Sequence, residues 1–204
     1  MIPDHIEKLI KEELPKMEGW LTPERGIQFA EFVLEHKPKI IVEIGVFGGR
    51  SMFCYALALR HLNDGGVYYG IDPWEKGVAL EGEQNGINRD WWSNLDIESI
   101  HRKAMSVLWS NNLDKWAVII RSASQYCHKL FNEIDLAALD GNHNEFQACR
   151  DVELYVPKIV SGGYLFFDDS DWPSTQKALR IVEQTCDLIK DDGRETHNSL
   201  YRKR

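Results

Sequence analysis

Glu43, Asp72, Asp140, Asp168 and Asp169 each stand in, or just after, a short apolar run, and His143 follows Asp140 by three residues. One Asp in such a place is usually a turn former or a helix N-cap. Five acids at the ends of runs that lie side by side would instead converge on one edge. Between the first two acids lies a glycine turn, Gly45-Val-Phe-Gly-Gly49, that leads into a helical pattern. Glycines let the backbone approach a ligand closely, and free N–H groups at a helix start bind phosphate or carboxylate. Asp72 comes 27 positions after Gly45, at the end of the next apolar run, where an acid can accept both hydroxyls of a ribose. Turn and acid together point to a nucleoside that carries a carboxylate or phosphate. The turn is not GxGxxG, so the dinucleotide fingerprint is missing.

Those acids meet only if the runs are neighbouring strands. Apolar runs at 39–44, 67–71, 117–120, 134–139 and 163–167 alternate with helical patterns near 51–62, 96–112, 123–131 and 145–156. Near-continuous apolar strands between helices predict a parallel sheet covered on both faces, and right-handed crossovers make it doubly wound. The expected fold is α/β and Rossmann-like: a doubly wound seven-stranded sheet of five parallel strands plus a C-terminal antiparallel hairpin. The hairpin is read from 188–190 and 199–202 around the turn-like Asp191-Asp-Gly193. Residues 1–37 read as an N-terminal helical extension, with Ile6, Leu9, Ile10 and Leu14 on one face. Residues 74–95 break the rhythm with Gly77, Gly82, Asn85, Gly86 and Asn88 but carry Trp91 and Trp92; the segment reads as a lid inserted as a loop. The whole chain, 1–204, is expected to be one domain.

Composition excludes several classes. The chain has 24 Lys and Arg against 32 Asp and Glu, a net charge of −8, which argues against nucleic acid or an anionic membrane as partner. Cys54, Cys127, Cys149 and Cys186 form no CxxC pair and read as core residues of a reducing compartment. The N-terminal stretch carries acids and no apolar core, so it does not read as a signal peptide, and no apolar run would span a bilayer. A cytoplasmic protein is expected. Its oligomeric state stays open, a homo-oligomer included.

Val42-Glu-Ile-Gly-Val-Phe-Gly-Gly-Arg-Ser51, Tyr69-Gly-Ile-Asp-Pro73 and Arg121-Ser-Ala-Ser124 resemble, in order and spacing, the donor-binding motifs of class I S-adenosylmethionine-dependent methyltransferases. The resemblance covers about residues 20–185 and implies S-adenosylmethionine as cofactor. By that likeness Glu43 and Gly45, with Phe47 in the cofactor-binding set, lie beside the methionine part and Ser51 beside its carboxylate. Asp72 holds the ribose, Ser122, Ala123 and Ser124 border the adenine, and Pro73 and Trp74 cover its other face.

Asp140-Gly-Asn-His143 with Asp168-Asp169 is similar to the pattern of metal-dependent O-methyltransferases that act on macrolide sugars. That likeness implies a divalent cation on Asp140, Asp168 and Asp169, with Asp140 also at the donor and catalytic centre and His143 as the general base. Oxygen ligands without Cys suit Mg²⁺, Ca²⁺ or Mn²⁺ better than Zn²⁺. A sugar hydroxyl is a poor nucleophile, which a cation and a proton-accepting His would activate. The implied activity is O-methylation of a small-molecule or glycan acceptor, with catechol and polyketide hydroxyls also compatible. A nicotinamide-dependent oxidoreductase of sugar nucleotides is the rival, but it wants GxGxxG and a Tyr/Lys pair, which are missing. A non-catalytic methyltransferase-like binding module is the third reading. His143 as a mere helix cap, and Trp172 as a hydrophobic staple or a pocket wall, are left open.

Overall fold

The strand Ile40–Ile44 (β1) lies at the centre of the computed structural model, which describes residues 2–82, 86–191 and 197–204. Val67–Asp72 (β2) flanks it on one side and Ile134–Leu139 (β4) on the other, both parallel. Ala117–Arg121 (β3) continues beyond β2, and Ile159–Phe167 (β5) beyond β4. Cys186–Asp191 (β6) and Ser199–Lys203 (β7) form the antiparallel hairpin, with β7 against β5. The order β3-β2-β1-β4-β5-β7-β6 is the expected seven-stranded sheet. Its order reverses between β1 and β4, the place where ligands bind in open α/β sheets. Asp192 and Gly193 of the expected hairpin turn, and Asn85 of the lid, lie outside the described residues.

Helices cover both faces. Asp4–Glu13 (α1), Pro23–His36 (α2), Arg50–Leu62 (α3) and Ile97–Ser110 (α6) share one apolar core, while Ser124–Cys127 (α7), Glu145–Tyr155 (α8) and Gln176–Val182 (α9) share the other. Ile6, Ile10 and Leu14 are fully buried. At about 1.5–3 kcal/mol per buried side chain they hold the N-terminal helices firmly over the sheet. Local chemistry sets the helix starts: Thr22 caps α2 ahead of Pro23, Asp96 caps α6, and Asn144 caps α8.

Two expectations change. The segment after Asp72 is not a loop throughout, because it contains the helices Lys76–Ala79 (α4) and Gly86–Asn94 (α5). Gly77 lies inside α4, Gly86 starts α5 and Asn88 lies inside it, so these residues are accommodated in short helices rather than preventing them. The helix expected over 123–131 is α7 followed by a single 3₁₀ turn, His128–Leu130. No described helix is long and apolar enough to cross a membrane.

Candidate functional site

The carboxyl ends of β1, β2 and β4 meet at Gly45. Its φ is +88°, and a Cβ there would lie 1.9 Å from the Asp140 carbonyl oxygen, so only glycine lets β1 and β4 close this tightly. The loop that follows is folded around Asp72. The Oδ2 of Asp72 accepts from the N–H groups of Val46 (3.0 Å) and Phe47 (2.9 Å), and its Oδ1 accepts from that of Trp74 (2.7 Å). A carboxylate offers about four lone-pair sites, so these three donors leave room for roughly one more. Asp72 therefore shapes the glycine loop first, and has less left for two ribose hydroxyls than the sequence suggests.

Beneath the loop, Glu43 is buried, accepts from the Tyr68 hydroxyl, and is hydrogen-bonded by Ser51. Burial pushes its pKa up to about 7. Gly48 packs on the carbonyl of Glu18, which a Cβ would meet at 2.1 Å. Arg50 straps that segment down by donating from Nε (3.1 Å) and Nη2 (2.7 Å) to Met17 O and from Nη1 to Leu21 O (2.7 Å). Trp20 is thereby held flat on Phe47, at 5.4 Å and 18°, and Trp91 and Trp92 of α5 complete an aromatic cluster. Phe47 itself adopts φ +47°.

A cavity of about 1200 Å³ opens above these residues. Pockets for one small molecule usually hold about 300–1,000 Å³, so this one has room for a donor and an acceptor together. Glu43, Gly45, Phe47, Ser51, Asp72, Pro73, Ala123, Ser124, Asp140, His143, Asp168 and Asp169 all line it. Ser122 does not line it; its N–H bonds to Asp72 O at 3.1 Å and helps join β2 to β3. Trp74 borders the cavity but is 4% exposed, with its indole N–H on Phe47 O (2.9 Å) and its ring 4.5 Å from His101. It is a clasp on the glycine loop. Trp172 is a cavity wall, with its ring 5.5 Å from that of His143.

The acids divide in a way the sequence does not predict. Ligand atoms of Asp140, His143 and Asp168 lie within 4.8 Å of one another, whereas Asp169 groups with Asp171 and His197. Asp169 adopts φ +47°, which turns its side chain away from that of the preceding Asp168. Its Oδ2 lies 3.2 Å from His143 Nδ1, and His143 Nε2 lies 3.7 Å from Asp140 Oδ1. The Asp140 side chain keeps 49% of its surface open to the cleft. Protein walls crowd it all the same, and these with the hydrogen-bonded Asp168 carboxylate raise its pKa well above the usual range. Burial and Asp168 push Asp169 up to about 7, while burial lowers the pKa of His143. His143 Nε2 is a buried atom without a hydrogen-bond partner. The crowded Asp140 and Asp168 carboxylates beside an orphaned imidazole nitrogen fit a divalent cation: Asp140 and Asp168 would hold it, with His143 within ligand reach.

Three features escaped the sequence reading. Trp20 lies far from any motif. Asn142 and Asn144 flank His143 and hold the lid: their Nδ2 groups donate to Val78 O (3.0 Å) and Glu81 O (2.9 Å each). Asp151 sits at 6% exposure on the inward face of α8; an acid amid Ala148, Val152 and Tyr155 was the available signal.

Residues 42–170, nearly two thirds of the chain, match a family model described as methyltransferase domain. No curated protein matches the chain. Among solved structures it is similar to the O-methyltransferase TomG of Streptomyces achromogenes, involved in tomaymycin synthesis and solved with SAM. There the TM-score is 0.64 at 16% identity, over 99% of this chain and 91% of that one. An O-methyltransferase from Bacillus cereus in complex with SAH gives 0.62 at 14%, over 100% and 93%. The SAH-bound Podospora anserina methyltransferase PaMTH1 gives 0.61 at 13%, over 100% and 89%. At such identities the likeness is one of fold.

Proposed function

The chain belongs to the methyltransferase-domain family, and from that premise we propose that it moves the methyl group of S-adenosylmethionine to a hydroxyl of a sugar, glycan or glycosylated small molecule. The observation that carries this reading is the Asp140–His143–Asp168 group on the wall of a cavity that also contains the glycine loop. The donor would lie along Glu43–Ser51 and Asp72 toward Ser124. The acceptor would lie between His143, Trp172 and the lid, where indole faces suit the apolar face of a sugar ring.

His143 Nε2 would take the hydroxyl proton as the O–CH₃ bond forms and the S–CH₃ bond breaks, leaving neutral S-adenosylhomocysteine. Asp169, whose Oδ2 lies 3.2 Å from Nδ1, would keep the other proton on Nδ1 and so leave the Nε2 lone pair to accept the hydroxyl proton. A divalent cation, with Mg²⁺ first and Mn²⁺ or Ca²⁺ after it, would when bound lower the free energy of the ionised acceptor. Trp20, Trp91 and Trp92 would exclude water from the sulfonium. A phenolic acceptor is a second reading, favoured by the aromatic walls Phe29 and Phe166 deeper in the cavity. We place the reaction in the cytoplasm, in keeping with four buried free cysteines.

The test is methyl transfer from S-adenosylmethionine to panels of deoxysugars, glycosides and phenols, read by mass spectrometry with and without EDTA. Transfer to a sugar hydroxyl that stops with EDTA and returns with Mg²⁺ is the expected result. Transfer to phenols alone overturns the sugar assignment. Indifference to EDTA, together with full activity in Asp140→Ala, overturns the cation.

A further inference from the structure

We propose that Arg25 recognises a carboxylate on the acceptor, so that the ring methylated by this protein is an acidic one, a uronic acid or an aromatic acid. The inference rests on the proposed methyl transfer at the Asp140–His143–Asp168 group and names the acceptor class for that site. The cavity wall is rich in acids, Glu18, Glu75, Glu81 and Asp151 among them, while Arg25 and Arg50 are its only Lys or Arg side chains among the described residues. Arg50 commits Nε, Nη1 and Nη2 to the carbonyls of Met17 and Leu21. Arg25 lies in the first turn of α2, where a cation opposes the helix macrodipole by about 0.3–1 kcal/mol. Helix stability therefore does not explain it. Its Nη1 donates to Gln28 Oε1 (2.8 Å), and its guanidinium stands 4.9 Å from the centre of the Phe29 ring and 6.0 Å from that of Phe166. Five N–H donors in a planar fork let a guanidinium serve a carboxylate while it keeps other partners.

The aromatic walls under Arg25 adjoin the reacting end. Phe166 stands two residues before Asp168, and Ala138, its partner in register, two residues before Asp140. Strand residues two apart share a face at a spacing of about 6.6 Å. Phe29 faces this floor from α2, its ring 4.9 Å from that of Phe166, and Tyr55 of α3 stacks on Phe29 at 5.3 Å and 11°. All four residues line the cavity. The Tyr55 hydroxyl is buried and has no hydrogen-bond partner among the described residues, and the charges of Arg25 and Asp140 both act on it. A hydroxyl buried in this way costs about 1–3 kcal/mol, which a polar group on a ligand would recover. An acceptor with its hydroxyl at Asp140 and Asp168 would put the far edge of its ring between Phe29 and Phe166. A carboxylate on that edge would meet the guanidinium and the positive end of α2, whereas a neutral group would meet aromatic walls alone.

Methyl transfer from S-adenosylmethionine to two matched pairs tests this: the methyl glycoside of glucuronic acid against that of its amide, and protocatechuate against its amide. In at least one pair the acid should be favoured by roughly 10- to 150-fold in kcat/KM, the size of one charge-assisted hydrogen bond. The pair that shows the preference tells a sugar acid from an aromatic one; preference in the aromatic pair alone upholds Arg25 and overturns the sugar assignment. Arg25→Gln should bring acid and amide within about threefold of each other, chiefly through KM for the acid, because the carboxylate lies away from the reacting atoms. Arg25→Lys keeps the charge without the fork and should keep part of the preference. Tyr55→Phe should narrow the ratio by a smaller factor. A damaged fold would lower acid and amide together and leave their ratio intact; if circular dichroism shows Arg25→Gln unfolded, Arg25→Lys and Tyr55→Phe decide. A wild type that does not favour either acid overturns the proposal. So does a folded Arg25→Gln that keeps the preference, which would put the carboxylate on the cation instead. Transfer to none of the four compounds overturns it as well, and calorimetry with S-adenosylhomocysteine then shows whether the donor reading falls with it.

Discussion

Asp169 stands behind His143 rather than beside Asp140: its Oδ2 is 3.2 Å from Nδ1, on the side of the ring away from the Asp140 carboxylate. In the proposed reaction that placement would make it an orienting residue. Asp169→Asn would keep the shape but offer an amide, which can hold the ring in the wrong tautomer. The kcat should fall roughly 10- to 100-fold, as for other partners that orient a catalytic imidazole. Mg²⁺ affinity, measured by calorimetry, should change little. A large loss of Mg²⁺ affinity would restore Asp169 to the cation site.

His143→Ala should lower kcat by about 10²–10⁴-fold while leaving S-adenosylhomocysteine affinity nearly unchanged, because in the proposed reaction the imidazole would face the acceptor. Burial lowers the pKa of His143, so the acid limb of the wild-type rate should lie below the ordinary value of 6.5. The variant should lack that limb. If His143→Ala kept more than about a tenth of kcat, too small a loss for a general base, the base would have to be sought elsewhere.

Four of the parallel strands, β1, β2, β4 and β5, were readable because each is a compact apolar run closed by an Asp or a Gly, and parallel pairing then places those ends together. Asp140 was legible as the acid at the end of β4, and the roles given to it and to His143 came from the family resemblance. The direction of Asp169 did not, since it depends on a φ of +47° that a side chain seldom adopts and no local pattern announces. Asp72 was placed correctly at the end of β2, but its three backbone donors come from a loop whose path is fixed by contacts with Glu18 and Asp140. Ser122 carries the right residue type for a pocket yet does not line the cavity, while Trp74 borders the cavity with its indole N–H turned to Phe47 O, a contact that no local pattern announces. Asp151 was missed because its partner Ser124 is 27 residues away on another element.

Glu43 should make the unliganded protein lose stability as pH rises. Its folded-state pKa, about 7, exceeds its ordinary value of 4.5. The native state therefore holds a proton that the unfolded chain gives up. The contribution is fully present below 4.5 and is lost as pH climbs through about 7. The whole effect amounts to at most about 3 kcal/mol. Asp140, Asp151 and Asp169 are shifted the same way, so Glu43→Gln should flatten only part of the slope. Melting temperatures of both proteins between pH 4.5 and 8 check this, and parallel curves would show that Glu43 is not the source.

Asn142 links the catalytic loop to the lid. It lies between Asp140 and His143, and its Nδ2 donates to both Val78 O and Glu81 O, so one amide holds the first turn of the lid against the end of β4. Its Oδ1 also accepts from Asn144 N (2.9 Å), just before the start of α8. Removing two partly exposed hydrogen bonds should weaken the docking of the lid by about 1–3 kcal/mol. Asn144 still holds Glu81 O, so the lid should loosen rather than detach. Val78, Ala79 and Glu81 form part of the cavity wall, so the cost should appear where substrates bind: KM for the donor should rise roughly 5- to 140-fold in Asn142→Ala. The kcat should fall far less, because His143 keeps its contact with Asp169 and the cation site keeps Asp140 and Asp168. Hydrogen exchange should show lost protection at residues 78–82 and not in β4. Equal losses in kcat and in kcat/KM, with exchange at 78–82 unchanged, would mean that Asn142 acts on the reacting groups and not through the lid.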